Sequence, residues 1–194
     1  MNFKLPFKGM WLTGWGGDTK KLNHHHDNLA QIYAFDFVMI NNNKNTFKND
    51  GKNNEDYFCF ESQILAAAKG EVVQVVEGVD DNEPRYLNGY WVAGNTVIIK
   101  HSKKLFSFLA HFKQNSIKVK VGDKVKTGDL LGLCGNSGRS SEPHLHFHLQ
   151  DRANTLFAKG VKCFFSQINL RKDNNNQTIK NYSPIKGDVI ENLK

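Results

Sequence analysis

Apolar and polar positions alternate in short runs along this chain, and nowhere does a 3.6-residue apolar period persist for a dozen residues. Residues 70–76, 94–100 and 105–112 are rich in Val, Ile or Phe and are bounded by Gly, Asn or charged residues, the composition of β-strands. Further strands are expected at Ile117–Val121, Asp129–Cys134 and His144–Gln150. Turn signals such as Val121-Gly122-Asp123 and Thr127-Gly128-Asp129 alternate with them at short intervals, as in a sandwich or barrel of hairpins. Asn41–Asn54, rich in Asn, Lys and Gly with Phe47 as its only large apolar residue, reads as a solvated loop, and Asp173–Gln177 as a second. The fold expected is mostly β: an antiparallel β-sheet, sandwich- or barrel-like, forming a single domain over residues 1–194 with long loops.

Composition narrows the class. Hydrophobic residues make up 39% and charged residues 23% of the chain, a globular balance that excludes disorder. No run approaches the roughly 20 apolar residues that span a bilayer, so no transmembrane segment is expected. Met1–Gly9 contains no uninterrupted apolar stretch or small-residue cleavage site, so no export signal is expected there. The formal charge of +7 suits an anionic partner such as a wall polymer, but no Lys/Arg stripe interleaved with aromatics supports nucleic-acid binding. Cys59, Cys134 and Cys163 lie far apart without a Cys-x-x-Cys pair and are expected to be buried free thiols.

Candidate chemistry concentrates in two alternating segments. In Pro143-His144-Leu145-His146-Phe147-His148-Leu149, strand geometry sends the three histidines to one face and Leu145, Phe147 and Leu149 to the core. Alternate residues lie about 7 Å apart, close enough for neighbouring histidines to serve one centre, one as ligand and one as base. In Tyr33-Ala34-Phe35-Asp36-Phe37 the aromatics face the core, and Asp36 shares the other face with Ala34. A carboxylate among apolar groups requires a partner or a metal. His24, His25 and His26 stand just upstream, and one carboxylate with two histidines is an accepted ligand set for a catalytic zinc that leaves a fourth position to water.

These segments, with Asn23-His24-His25, Ala110-His111, Gly122-Asp123-Lys124-Val125-Lys126-Thr127-Gly128 and Gly135-Asn136-Ser137-Gly138, resemble in kind and order the lysostaphin- and LytM-like zinc endopeptidases that cut bacterial peptidoglycan. The motifs place the catalytic β core at about residues 23–150. The resemblance implies one Zn²⁺ per chain, held by Asp36, His146 and one histidine of the 24–26 run. Asn23 and Gln31 align that ligand on His25, with His24 and His26 as alternatives. It further implies His111 and His144 as the catalytic pair, acting on peptide cross-links through a metal-activated water, and a place at the cell envelope or outside the cell. Leu109 stands where relatives often carry Tyr. No His-Glu-x-x-His motif is present, so a Glu base of that type is not available. His101 and His148 are expected to support the site or the fold. Two rival readings are a β-fold histidine phosphocarrier, against which Asp36 stands because its charge would repel phosphate, and a binding or regulatory module derived from the peptidase, against which the full set of ligands and bases stands.

Overall fold

The alternation through Leu145–Gln150 forms a strand flanked by partners on both sides, and this strand organises the molecule. A computed structural model describes residues 1–172 and 175–193. In chain order the strands are β1 (Trp11–Trp15), β2 (Phe35–Val38), β3 (Gln63–Leu65), β4 (Gly70–Val76), β5 (Asn95–Ser102), β6 (Leu105–Phe112), β7 (Lys124–Val125), β8 (Leu130–Leu133), β9 (Leu145–Gln150), β10 (Gly160–Val161), β11 (Phe165–Lys172), β12 (Asn175–Tyr182) and β13 (Val189–Glu191). One 11-stranded sheet runs β12-β11-β13-β1-β2-β9-β6-β5-β4-β7, with β10 on β9, and β3 pairs β8 in a second, two-stranded sheet. The pairings between named strands are antiparallel, and the large sheet ends on β12 and β7 without closing into a barrel. The helical elements among the described residues are two short 3-10 turns, Asn54–Asp56 and Thr155–Phe157. No helix there is long and apolar enough to cross a membrane.

Register sorts the side chains. Phe35 of β2 and Leu109 of β6 both lie opposite Phe147 of β9. With Phe37, Leu145, Leu149 and Phe165 they form the main apolar cluster, reinforced by Trp11 stacked on Phe7 at 4.6 Å. Each such buried side chain contributes about 1.5–3 kcal/mol of apolar transfer free energy. Moving the pairing of β9 by one residue would place its histidines in this cluster, so the register is strongly specified.

The strands expected at 70–76 and 105–112 match β4 and β6, and those at 94–100, 129–134 and 144–150 differ from β5, β8 and β9 by a residue or two at their ends. The loop expected at Asn41–Asn54 is present up to Asn53, pinned where Phe47 bridges Tyr57, and Asn54 opens the first 3-10 turn. Three expectations fail. Ile117–Val121 forms no strand: Lys118 N–H donates to the Leu131 carbonyl at 2.8 Å, but no ladder continues, and Ile117 and Val119 simply pack on the core from an extended segment. Of the loop expected at Asp173–Gln177, residues 173 and 174 lie outside the described residues, while Asn175–Gln177 begin β12. There Arg171 pairs with Asn176 and Leu170 with Gln177, because backbone pairing in an exposed edge strand does not need apolar side chains. Tyr33 also departs from its expected core position and sits half-exposed in the turn before β2.

Candidate metal centre and catalytic cleft

The site lies on the other face of β2, β9 and β6. Asp36 is directly opposite His146, and His146 is directly opposite Ala110. Ala110 is small, so a cleft of about 850 Å³ opens above this row, lined by His24, His25, Asp36, His111, His144 and His146 among others. Arg139 and the Leu87–Ala93 loop form part of its wall.

Asp36 is 5% exposed, and each of its oxygens faces imidazoles. Oδ2 is 2.9 Å from both His24 Nε2 and His25 Nε2, while Oδ1 is 2.9 Å from His146 Nδ1 and 3.7 Å from His144 Nε2. Burial alone would raise the carboxyl pKa. The surrounding imidazoles of His25, His144, His146 and His24 outweigh it, so Asp36 is held well below the ordinary carboxylate range. His24, His25 and Asp36 each offer a ligand atom within 4.8 Å of the others.

The turn bearing these histidines is fixed by Asn23, which is fully buried. Its Nδ2 donates to the Ile32 carbonyl at 3.0 Å, and its Oδ1 accepts from His25 N–H at 3.0 Å. His24 stacks on Trp15 with centroids 4.7 Å apart, which turns its ring toward Asp36. The sequence led to one histidine of the run at the carboxylate, and the structure brings two. His26 points elsewhere, its Nδ1 being 3.7 Å from Asp27 Oδ1.

His111 reaches the cleft by a different device. Alternation along β6 puts Ala110 on the site face and would send residue 111 to the core. The register between β5 and β6 shifts at this point, Thr96 pairing with Ala110 and Asn95 with Phe112, so His111 is the extra residue of a bulge. Its φ of 64° lies in the left-handed region and re-aims the side chain onto the site face. The Gly135–Gly138 turn supports it: Ser137 Oγ donates to the Phe112 carbonyl at 2.7 Å, and Gly138, at φ 81°, packs so closely that a Cβ would lie 2.3 Å from Gly94 N.

Backbone carbonyls set the tautomers of both candidate bases. His111 Nδ1 is 2.7 Å from the Ser137 carbonyl, and His144 Nδ1 is 2.9 Å from the Glu142 carbonyl. A carbonyl only accepts, so each Nδ1 carries a proton, and in the neutral ring Nε2 holds the lone pair. The two rings are 4.6 Å apart. Burial, followed by the proximity of His144 and His146, pushes the His111 pKa well down and keeps that ring neutral. Burial likewise lowers His146 to about 3 and His148 to about 4.

His148 is fully buried under Phe108, its ring stacked at 4.8 Å. His101 lies outside the cleft lining and bonds the Lys69 carbonyl at 2.8 Å and Ser107 Oγ at 2.9 Å, a structural placement. The three cysteines are buried and unpaired, as expected. The residues the sequence did not reveal are Ser137 and Glu142, which act through main-chain oxygens. The Gly-Asn-Ser-Gly turn marked the first of these only as a turn.

Curated relatives match part of the chain. It is 44% identical over 57 residues to the peptidoglycan DD-endopeptidase ShyA of Vibrio cholerae, covering 29% of this chain and 13% of that protein. It is 38% identical over 66 residues to endolysin 2638A of a Staphylococcus phage, covering 34% of this chain and 14% of that protein. The match thus spans less than a fifth of these relatives' own length. The catalytic domain of lysostaphin from Staphylococcus simulans is similar at 21% identity and a TM-score of 0.47, over 79% of this chain and 88% of that domain. The profile of Peptidase family M23 matches residues 53–157, a segment that carries His111, His144 and His146 and makes up more than half of the 194 residues, and the chain belongs to that family.

Proposed function

We propose that the protein is a zinc-dependent endopeptidase that hydrolyses peptide cross-links of bacterial peptidoglycan. The observation that carries this reading is the ring of imidazole nitrogens around the buried Asp36 carboxylate, beside two further histidines with free Nε2 lone pairs. Carboxylate and imidazole donors suit zinc, and His25 Nε2, Asp36 and His146 Nδ1 would hold it. When bound, zinc supplies Lewis-acid activation of a water and of a peptide carbonyl. His144 Nε2, facing the carboxylate side of the cleft, takes a proton from the attacking water. The proton taken from the water is the one delivered to the leaving amine, either by His144 itself or by His111, whose ring lies 4.6 Å away, after it has passed to His111 Nε2. An imidazole with a free Nε2 can take up such a proton and release it again near neutral pH. The reading takes residues 1–194 as one metallopeptidase domain, supported by the continuity of the large sheet from β12 to β7.

A phosphocarrier role fits less well, since a phosphoryl group on His144 would meet the Asp36 charge. The ShyA and endolysin names support a wall substrate. The test is to load the purified protein with one equivalent of Zn²⁺ and incubate it with peptidoglycan sacculi. New amino groups should appear without new reducing ends, and a chelator should abolish their release. Loaded protein that releases no amines from sacculi or cross-linked muropeptides would refute the assignment.

A further inference from the structure

Beneath the site, a line of hydrogen bonds runs along one face of β9 and ends on an amide that plays no part in the chemistry above. Gln150 is fully buried, and its Nε2 is 3.1 Å from the Ala153 carbonyl. That carbonyl only accepts, so the amide nitrogen must face it and Oε1 must point the other way, where it lies 2.9 Å from His148 Nε2. An amide oxygen also only accepts, so His148 carries its proton on Nε2. His148 is buried against Phe108 and touches neutral partners, so its Nδ1 keeps a lone pair. That lone pair is 2.9 Å from His146 Nε2, which must therefore be N–H. The polarity of the whole line leaves His146 Nδ1 as a lone pair, 2.9 Å from Asp36 Oδ1. Two acceptors then face each other, an arrangement that a cation satisfies.

We infer that Gln150 is a positioning residue which, through His148, holds His146 in the tautomer that presents Nδ1 to the metal. The inference rests on the zinc reading above and extends it to residues buried behind the ligand. An outer partner of this kind orients a ligating imidazole and raises its basicity, and its loss weakens metal binding about ten- to hundredfold. The same reasoning explains why β9 remains polar to its end on this face, with His146, His148 and Gln150 all buried.

The test combines ¹⁵N-histidine NMR with competitive Zn²⁺ titration of the full chain. In the parent, His148 should show a protonated Nε2 and an unprotonated Nδ1. Gln150→Glu, which keeps an acceptor for His148, should retain zinc affinity within about threefold, whereas Gln150→Met, of similar volume without the acceptor, should weaken it about ten- to hundredfold and alter the His148 signature. A folded Gln150→Met protein with parental affinity and an unchanged His148 spectrum would overturn the relay. Should that variant fail to fold, the parental His148 spectrum decides: a proton on Nδ1 overturns the relay, and one on Nε2 supports it. A parent that takes up no zinc at all overturns the metal reading itself, and the ligand role of His146 with it. Zinc uptake with His148 protonated on Nδ1 overturns the relay alone.

Discussion

His111 occupies a backbone conformation that favours glycine, and this lets its chemistry be separated from its effect on stability. Both His111→Ala and His111→Gly remove the imidazole and its 2.7 Å bond to the Ser137 carbonyl. They differ only in what the φ of 64° demands. A Cβ in the left-handed region costs about 1–2 kcal/mol. Glycine is ordinarily worse than alanine in a strand by about 0.5–1 kcal/mol, because it has more unfolded freedom to lose. The difference leaves the Gly variant more stable than the Ala variant by up to about 1.5 kcal/mol, the reverse of the usual order in a β-strand. For a chain of this length that is a melting temperature higher by up to about 6 °C. Calorimetry in excess chelator, which removes any contribution from bound metal, reads this shift. Both variants should hydrolyse peptidoglycan about a hundredfold to ten-thousandfold more slowly than the parent when loaded with zinc. An Ala variant that melts at or above the Gly variant would refute the bulge argument. Near-parental activity in either variant would remove His111 from the mechanism.

Further outcomes follow from the same geometry. Asp36→Ala and His146→Ala should each abolish tight Zn²⁺ binding in a chelator competition, whereas His144→Ala should keep the metal and lose activity; zinc loss in the last would make His144 a ligand. Replaced singly by Ala, His25 should show the severe loss of zinc affinity and His26 almost none, while His24, with its Nε2 as close to Asp36 as that of His25, should show an intermediate loss; a severe effect at His26 would mean the turn is misplaced. In metal-free protein, His146 and His148, lowered to about 3 and about 4, bind protons more weakly folded than unfolded, where the pKa is about 6.5. Their contribution is therefore complete above that value and is lost as the pH falls toward about 4 for His148 and about 3 for His146, at about 1.4 kcal/mol per pH unit for each group. Asp36, held low, adds a loss of the same sign only at still lower pH. Urea midpoints of chelated protein at pH 7, 6 and 5 should fall steadily, and a midpoint unchanged from 7 to 5 would contradict the burial argument.

Strand content was legible wherever one face is buried, because burial forces an apolar alternation that local sequence displays. β9 is the example, with Leu145, Phe147 and Leu149 at every second position, whereas β6, buried on both faces, was legible from its run of Leu and Phe rather than from alternation. The same signal misled at Ile117–Val121, where alternation buries two side chains without a neighbouring strand to complete a ladder. It was missing at Asn175–Gln177, where the strand is polar and exposed and only its pairing to β11 defines it. Alternation reports which side chains are buried and carries no information on which backbone groups are paired.

The site divides along a similar line. Asp36 and His146 were legible because each interrupts an apolar strand with a polar group that must be satisfied, and pairing of β2 with β9 then places them opposite one another. His111 sits after an alanine in an apolar strand, and strict alternation assigns it to the core. Only the register shift against β5 and the left-handed φ bring it to the cleft, and both depend on residues far along the chain. The turn at 24–26 poses the opposite difficulty, since adjacent histidines in a turn have no fixed period and the sequence cannot rank them. The ranking comes from Asn23, whose side chain caps the His25 N–H, and from Trp15, whose ring carries His24 toward the carboxylate. The tautomers of His111 and His144 were hidden for a third reason: their partners are the carbonyls of Ser137 and Glu142, groups that every residue possesses and that only the folded backbone can aim.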